Sequence, residues 1–197
     1  MLIVSDGRAV VEADLAAGRL VCPRCRSGVL GGWGCSRVRE VRTGSGVRRL
    51  RPRRGRCRAR SCRATHVLLP DVCLSRRRYA AAVIGAALLS VGVVGYRRAG
   101  ERLGVPGETV RDWRRRLGSR AELIAAHFLR WARALDGSLD PPAAQRSPAA
   151  DAVEAIGVCT RAASLLFGRQ SPWSWVSALT AGGLLEINTS TPWPVPE

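Results

Sequence analysis

Four of the seven cysteines in this chain stand at spacings suited to a metal. Cys22-Pro23-Arg24-Cys25 is a C-x2-C pair, and Cys57 and Cys62 form a C-x4-C pair after a gap of 31 residues. Spacings this short let each pair bind from one tight turn, and two pairs supply the four thiolates of a tetrahedral zinc site. Zinc has no directional electronic preference and bonds thiolate at about 2.3 Å, so four protein sulfurs close its coordination sphere. One structural Zn2+ is therefore expected on Cys22, Cys25, Cys57 and Cys62, contributing folding energy and keeping no open position for a catalytic water. Gly28 stands where the first turn must release the chain. A redox role for the first pair is disfavoured, because no thioredoxin-like alternation of strands and helices surrounds it. Cys35, near Trp33-Gly34, and His66, near Cys62, are alternative ligands, but each reads first as an ordinary buried residue, as do Cys73 and Cys159.

A second constellation lies at residues 96–117. Ala99 and Leu103 are four apart on one helical face, Gly100 permits close approach of another helix, and Gly104 ends the first helix by adopting positive φ. Val105 then plugs a turn, Pro106 and Gly107 start a second helix, and Val110, Trp113 and Leu117 recur at helical spacing on its inner face. This is a helix-turn-helix pattern, whose second helix enters the DNA major groove through its N-terminal residues. Glu108, Thr109, Arg111, Asp112, Arg115 and Arg116 are left outward. Arg111 is the candidate base reader, because a guanidinium bonds a guanine edge through two hydrogen bonds. Arg97, Arg98, Arg102, Arg114 and Arg115 are candidate phosphate contacts. An ordinary helical hairpin is the competing reading of the same pattern.

The charge distribution supports a polyanionic partner. All 32 basic residues are Arg, and the formal net charge is +17. It is −1 over residues 1–21, +20 over 22–120 and −2 over 121–197, so the surplus sits wholly in the middle of the chain. The absence of Lys also matches the coding bias of a G+C-rich genome, so arginine number overstates function. The Arg-rich run from Arg48 to Arg63 is either a solvated strand face or a phosphate contact of the metal module itself.

These residues need elements to hold them. Between the cysteine pairs the chain has room for a hairpin or three short strands, with Arg37 to Thr43 and Val47 to Arg53 as strands and Gly44-Ser45-Gly46 as the turn. Tyr79 to Tyr96 is an uncharged stretch of 18 residues, at the lower limit for a spanning helix. Its glycines, its Arg flanks on both sides and its run into the helix-turn-helix pattern favour a buried helix from about Ala80 to Val91, packed all round, and no membrane contact. Ala121 to Leu135 reads as a helix with an apolar face, and Asp136 to Ala150 has linker composition. A helix begins at Asp151, and a shorter one from Pro172 to Ala181 is capped by Ser171 and ended by Gly182-Gly183. Trp173, Trp175 and Trp193 read as core packing first and as a protein-partner surface second, while Pro192 to Pro196 should be extended and mobile. No secretory signal opens the chain, and thiols without one point to the reducing cytoplasm.

The cysteine pairs, Trp33-Gly34, the Arg-rich strand, Thr65-His66 and the helix-turn-helix together resemble the N-terminal DNA-binding region of bacterial insertion-sequence transposases. The stretch Arg63 to Pro70, with Val83 to Leu89, is more similar to an uncharacterised family from high-G+C bacteria, the domain of unknown function numbered 6431. The resemblance covers about residues 20–118 and departs from that family at the second pair, which there is C-x2-C. The transposase likeness implies recognition of DNA ends or operators. A transposase's catalytic domain gathers three carboxylates on a strand-rich core. Here the acids after Asp112 lie in helical or linker sequence, and His66 and His127 stand on different modules without a nucleophile elbow or phosphate loop. No enzyme is expected.

The fold class expected is α+β: an N-terminal zinc ribbon with a short helix (1–72), a helix-turn-helix domain (73–135), a linker (136–150) and a C-terminal helical segment (151–197). The function expected is sequence-specific binding of double-stranded DNA, as a regulator or mobile-element accessory factor. The alternative is a zinc-scaffolded adaptor or RNA-binding module, with residues 151–197 recruiting a protein partner.

Overall fold

The computed structural model describes residues 1–186 and 193–196. Its described elements run β1 (Leu2–Val4), α1 (Arg8–Ala16), β2 (Leu30–Cys35), β3 (Arg39–Thr43), β4 (Gly46–Leu50), β5 (Arg53–Cys57), β6 (Thr65–Pro70), α2 (Ala81–Leu103), α3 (Gly107–Gly118), α4 (Ala121–Leu135), α5 (Pro148–Phe167) and α6 (Pro172–Leu179). The chain is thus mixed α and β, six helices with two small sheets among the described residues.

One sheet has the order β1-β6-β5-β2, with β1 parallel to β6 and the other neighbours antiparallel. Successive side chains alternate between its faces. Leu30, Cys57 and Leu68 point to one face, where they pack with Val4, Cys22 and the α1 residues Val11 and Leu15. Val11 and Leu15 are one helical turn apart, which is why α1 covers this face and leaves its other side in water.

The hairpin β3–β4 pairs from Arg39↔Leu50 to Thr43↔Gly46, so its turn is Gly44-Ser45. The expected second strand splits: Arg53 opens β5 instead. The hairpin also leaves the cysteine-bearing sheet. Its buried residues Val41 and Leu50 join a second, larger core built on the helices. Backbone bonds pin it there: Arg42 N–H donates to Arg78 O at 2.7 Å, and Ala80 N–H to Arg42 O at 2.9 Å.

α2 passes by length and composition as a membrane-crossing helix. In the fold, Ala81, Val83, Ile84, Gly85, Ala87, Leu88 and Val91 are buried against the helical core. It is not packed all round between Ala80 and Val91, since Ala82 is exposed and Leu89 is 53% exposed. As expected, the helical run is broken before the segment that ends at Leu103: Gly95, at φ 76° and ψ 164°, is not helical, so α2 consists of two helical segments meeting at a sharp bend. α4 packs along α5, and Ile124, Phe128, Ala155, Ile156 and Cys159 meet the α2 and α3 residues in one core. Residues 136–150 therefore separate segments of sequence and not separate cores.

α5 begins at Pro148, three residues before the helix start expected at Asp151. Ser147 is the reason: its hydroxyl accepts from Ala150 N–H at 3.3 Å, and Pro148 occupies a first-turn position that needs no N–H donor. Ser171 precedes α6 as expected, but its side chain makes no capping bond. Trp173 lies directly on Gly85, where an added Cβ would come within 1.7 Å of its ring. Of the expected mobile end, Pro192 lies outside the described residues, and Trp193 and Pro194 are docked. The Trp193 ring meets His127 edge-on at 4.9 Å between centroids, the Arg120 guanidinium sits 4.5 Å from its centroid, and Trp131 Nε1 donates to Pro194 O at 3.1 Å.

Two outcomes follow from this packing. Gly85→Ala must push Trp173 off α2, and overpacking of this kind costs about 1–3 kcal/mol, read as a lower denaturant midpoint. His127 is buried with Nε2 2.9 Å from Leu179 O, and burial holds its pKa below the ordinary 6.5. The unfolded chain therefore takes up a proton that the folded chain refuses. Stability from this group is complete above pH 6.5 and falls as pH drops through it, so denaturation midpoints of wild type and His127→Gln should converge on acidification.

Candidate metal centre and nucleic-acid interface

The first cysteine pair sits in a loop between α1 and β2, closed by a bridge between Val21 and Val29. Arg26 N–H donates to Cys22 O at 2.9 Å and Cys22 N–H to Gly28 O at 2.7 Å, a turn that places Arg26 at φ 56°. Gly28 N–H then donates to Cys25 Sγ at 3.3 Å. The second pair closes the same way at the end of β5: Cys62 N–H and Arg63 N–H both donate to Ala59 O, and Arg63 takes φ 51°. The two extra residues of C-x4-C are absorbed in this turn, and Cys62 still reaches the cluster.

The four sulfurs lie within 4.8 Å of one another. Cys22 Sγ is 3.8 Å from Cys62 Sγ, and Cys25 Sγ is 3.7 Å from Cys57 Sγ. Four ligands at about 2.3 Å from one tetrahedral ion are separated by about 3.8 Å, so the donor set and its geometry are compatible with a zinc site. Electrostatics agree. The Ser27 and Gly28 amides lower Cys25 to about 6, poised as thiolate, while burial pushes Cys57 up to about 12. A cation is what makes a second buried thiolate tolerable.

Gly28 has no room for a side chain: a Cβ would lie 2.6 Å from Cys57 Sγ and 3.3 Å from Cys25 Sγ. Cys35 stands apart, its sulfur accepting from Arg53 Nη1 at 3.6 Å. His66 is adjacent, with Nε2 3.4 Å from Cys22 Sγ and Nδ1 3.4 Å from the Met1 amine. Burial, then the Met1 amine and Arg24, hold it neutral, so it suits a neutral donor to the Cys22 sulfur.

α2 and α3 meet at a short turn. Gly104 takes φ 61°, ψ 33°, and a Cβ on Gly100 would strike Val105 O at 2.4 Å. Ala99, Val105, Val110, Trp113 and Leu117 are all buried, and Tyr79 meets Trp113 edge-on at 5.2 Å. Arg97, Arg98, Arg102, Glu108, Arg111, Arg114 and Arg115 are exposed, and Thr109 and Asp112 are half-buried. Several of these neutralise one another. Arg111 pairs with Glu108 at 3.3 Å, and Asp112 takes both Arg115 at 2.7 Å and Arg116 at 2.6 Å, which hold its carboxyl below the usual range. Arg114 has no carboxylate partner among the described residues.

Residues 22–113 match the family model described as Domain of unknown function (DUF6431). That segment is a DUF6431 domain. It starts at the first metal-site cysteine and ends at Trp113, inside α3, so the cysteine cluster and the α2–α3 turn fall within one family unit. No curated protein and no solved structure matches the chain.

Sequence reasoning did not find the role of Gly28 in metal packing beyond a turn, because a sulfur on the other cysteine pair sets the constraint. Gly28→Ala should lower the bound metal per folded chain as Cys25→Ser does, and Cys35→Ser should leave it unchanged. Zinc-to-protein ratio measured after dialysis reads all three.

Proposed function

We propose that this chain is a sequence-specific, cytoplasmic DNA-binding protein without a catalytic domain, acting as a regulator or mobile-element accessory factor. In this reading Cys22, Cys25, Cys57 and Cys62 hold one structural Zn2+ in a zinc ribbon formed by β2, β5 and β6. α2 and α3 form the helix-turn-helix, and α3 enters the major groove of duplex DNA. The observation that carries the reading is the division of α3 into a buried face of Val110, Trp113 and Leu117 and an exposed face of Arg111, Arg114 and Arg115. Surface ion pairs such as Arg111–Glu108 are worth about 1 kcal/mol or less, so Arg111 exchanges Glu108 for a base edge at small cost. Arg97, Arg98, Arg102, Arg114 and Arg115 hold phosphates, and Thr109 and Asp112 flank the reading position.

A second reading, a zinc-scaffolded adaptor, is favoured by one feature. Leu165, Leu166 and Phe167 end α5 at 85%, 58% and 62% exposure, an apolar run within the segment expected to recruit a protein.

Selection of bound duplexes from a random pool, with zinc present and near-physiological salt, tests the first reading. An enriched motif is expected, and Arg111→Ala should relax one position of it by about 1–3 kcal/mol. Folded protein that enriches no sequence would favour the adaptor.

A further inference from the structure

A second basic surface is built without any residue of α3. A cleft of about 900 Å³ opens between the β3–β4 hairpin, the edge of β6 and the loop before α2. Arg39, Arg42, Arg76, Arg77 and Arg78 line it against one acid, Glu40. None of the five guanidinium groups meets a carboxylate among the described residues. Like charges do not gather in a concavity for stability's sake, because their repulsion is greatest where the walls exclude water.

The backbone of this cleft is held in advance. Arg76 takes φ 56°, an uncommon conformation for a residue with a side chain. Its neighbours are tied on three sides: Ser75 N–H donates to Gly182 O, Arg77 to Leu185 O and Arg42 N–H to Arg78 O. The arginines are thus presented without the cost of ordering a free loop.

The same surface continues across the sheet to an aromatic ring. Thr65 and Val67 line the cleft, and they pair across β5 with Arg56 and Arg54. Arg54 Nη2 donates to Thr65 Oγ1 at 3.2 Å, and the Arg56 guanidinium lies 4.5 Å from the centroid of the Trp33 ring on β2. This is the face opposite Leu30, Cys57 and Leu68; its Leu69, at the far end of β6, joins the larger core, while Arg54, Arg56 and Trp33 are not buried. Trp33 is 51% exposed there, with the Arg56 guanidinium over its ring.

We infer that this track, from Trp33 through Arg56 and Arg54 into the cleft of Arg39, Arg42, Arg76 and Arg78, binds a single strand of DNA. Phosphates lie along the arginines and an unpaired base stacks on Trp33. A groove that follows a charged backbone and carries an exposed aromatic is the chemistry of single-strand binding, whereas a base in a duplex has no free face to offer a ring. The choice of DNA over RNA rests on the reading of α3 as a DNA helix; the track itself does not, and its variants are separate from those of α3.

The test is fluorescence anisotropy of labelled oligothymidine and oligouridine with the full-length, zinc-loaded protein at near-physiological salt. Arg76→Ala with Arg78→Ala should weaken oligothymidine binding by about tenfold or more, and Trp33→Ala by a similar factor, with Trp33→Phe keeping most of the affinity. Arg111→Ala with Arg114→Ala should leave it unchanged. Zinc content and circular dichroism establish that each variant is folded. The proposal is overturned if folded variants of the track bind oligothymidine as wild type does, if only the α3 variant loses it, or if oligouridine binds more than tenfold tighter.

Discussion

Four thiolates cannot share one small volume without a positive charge among them. In this protein Cys22, Cys25, Cys57 and Cys62 converge within 4.8 Å, and two of them are fully enclosed by the core under β2, β5 and β6. That core is small, a handful of aliphatic residues from β1, α1, β2 and β6. The pairing of Leu30 with Cys57 and the bond from Arg58 N–H to Val29 O join the two cysteine turns, and the sulfur cluster sits at that joint. Gly28 shows how closely it is packed: its missing side chain is the space occupied by the opposite sulfur.

The larger core is organised by α2. Its first half packs against the hairpin and against α6, and Trp173 of α6 fills the space of a side chain that Gly85 lacks. The C-terminal segment, near-neutral in an otherwise basic chain, is thereby part of what holds the α2–α3 turn in place. Trp193, reached from beyond α6, adds an edge contact with His127 on α4. Trp113, Trp173, Phe128 and Trp193 stand at such junctions, whereas Trp33 and Phe167 lie half or more in water.

Charge is arranged by two different rules. On α3 Arg111, Arg115 and Arg116 stand beside carboxylates one turn away and can exchange partners, while Arg114 has none among the described residues. In the cleft, and at Arg56 on β5, the arginines face backbone carbonyls and aromatic rings instead: Arg39 donates to Arg77 O, Arg42 lies over Tyr79 and Arg56 over Trp33. The first arrangement suppresses the field of the helix, and the second leaves the field of the cleft intact.

Local signals were legible in the sequence. Cysteine spacing named the four residues of the cluster, because a metal-binding turn is made within a few residues. Gly104, Val105 and the Val110, Trp113, Leu117 repeat marked the α2–α3 turn, because a left-handed residue and a helical period are also local properties. Ser147-Pro148 was an equally local signal for the start of α5, overshadowed by the acids that follow. Tertiary structure alone decided what depends on distance. The hairpin crossed from the cysteine sheet to the helical core, since Val41 and Leu50 find more apolar surface there. The cleft draws Arg39 and Arg42 from one strand and Arg76 to Arg78 from a loop more than thirty residues away, and no linear spacing encodes a concavity. Short-range backbone geometry can be read along a chain, but the burial of side chains and the summed field of distant charges exist only once it is folded.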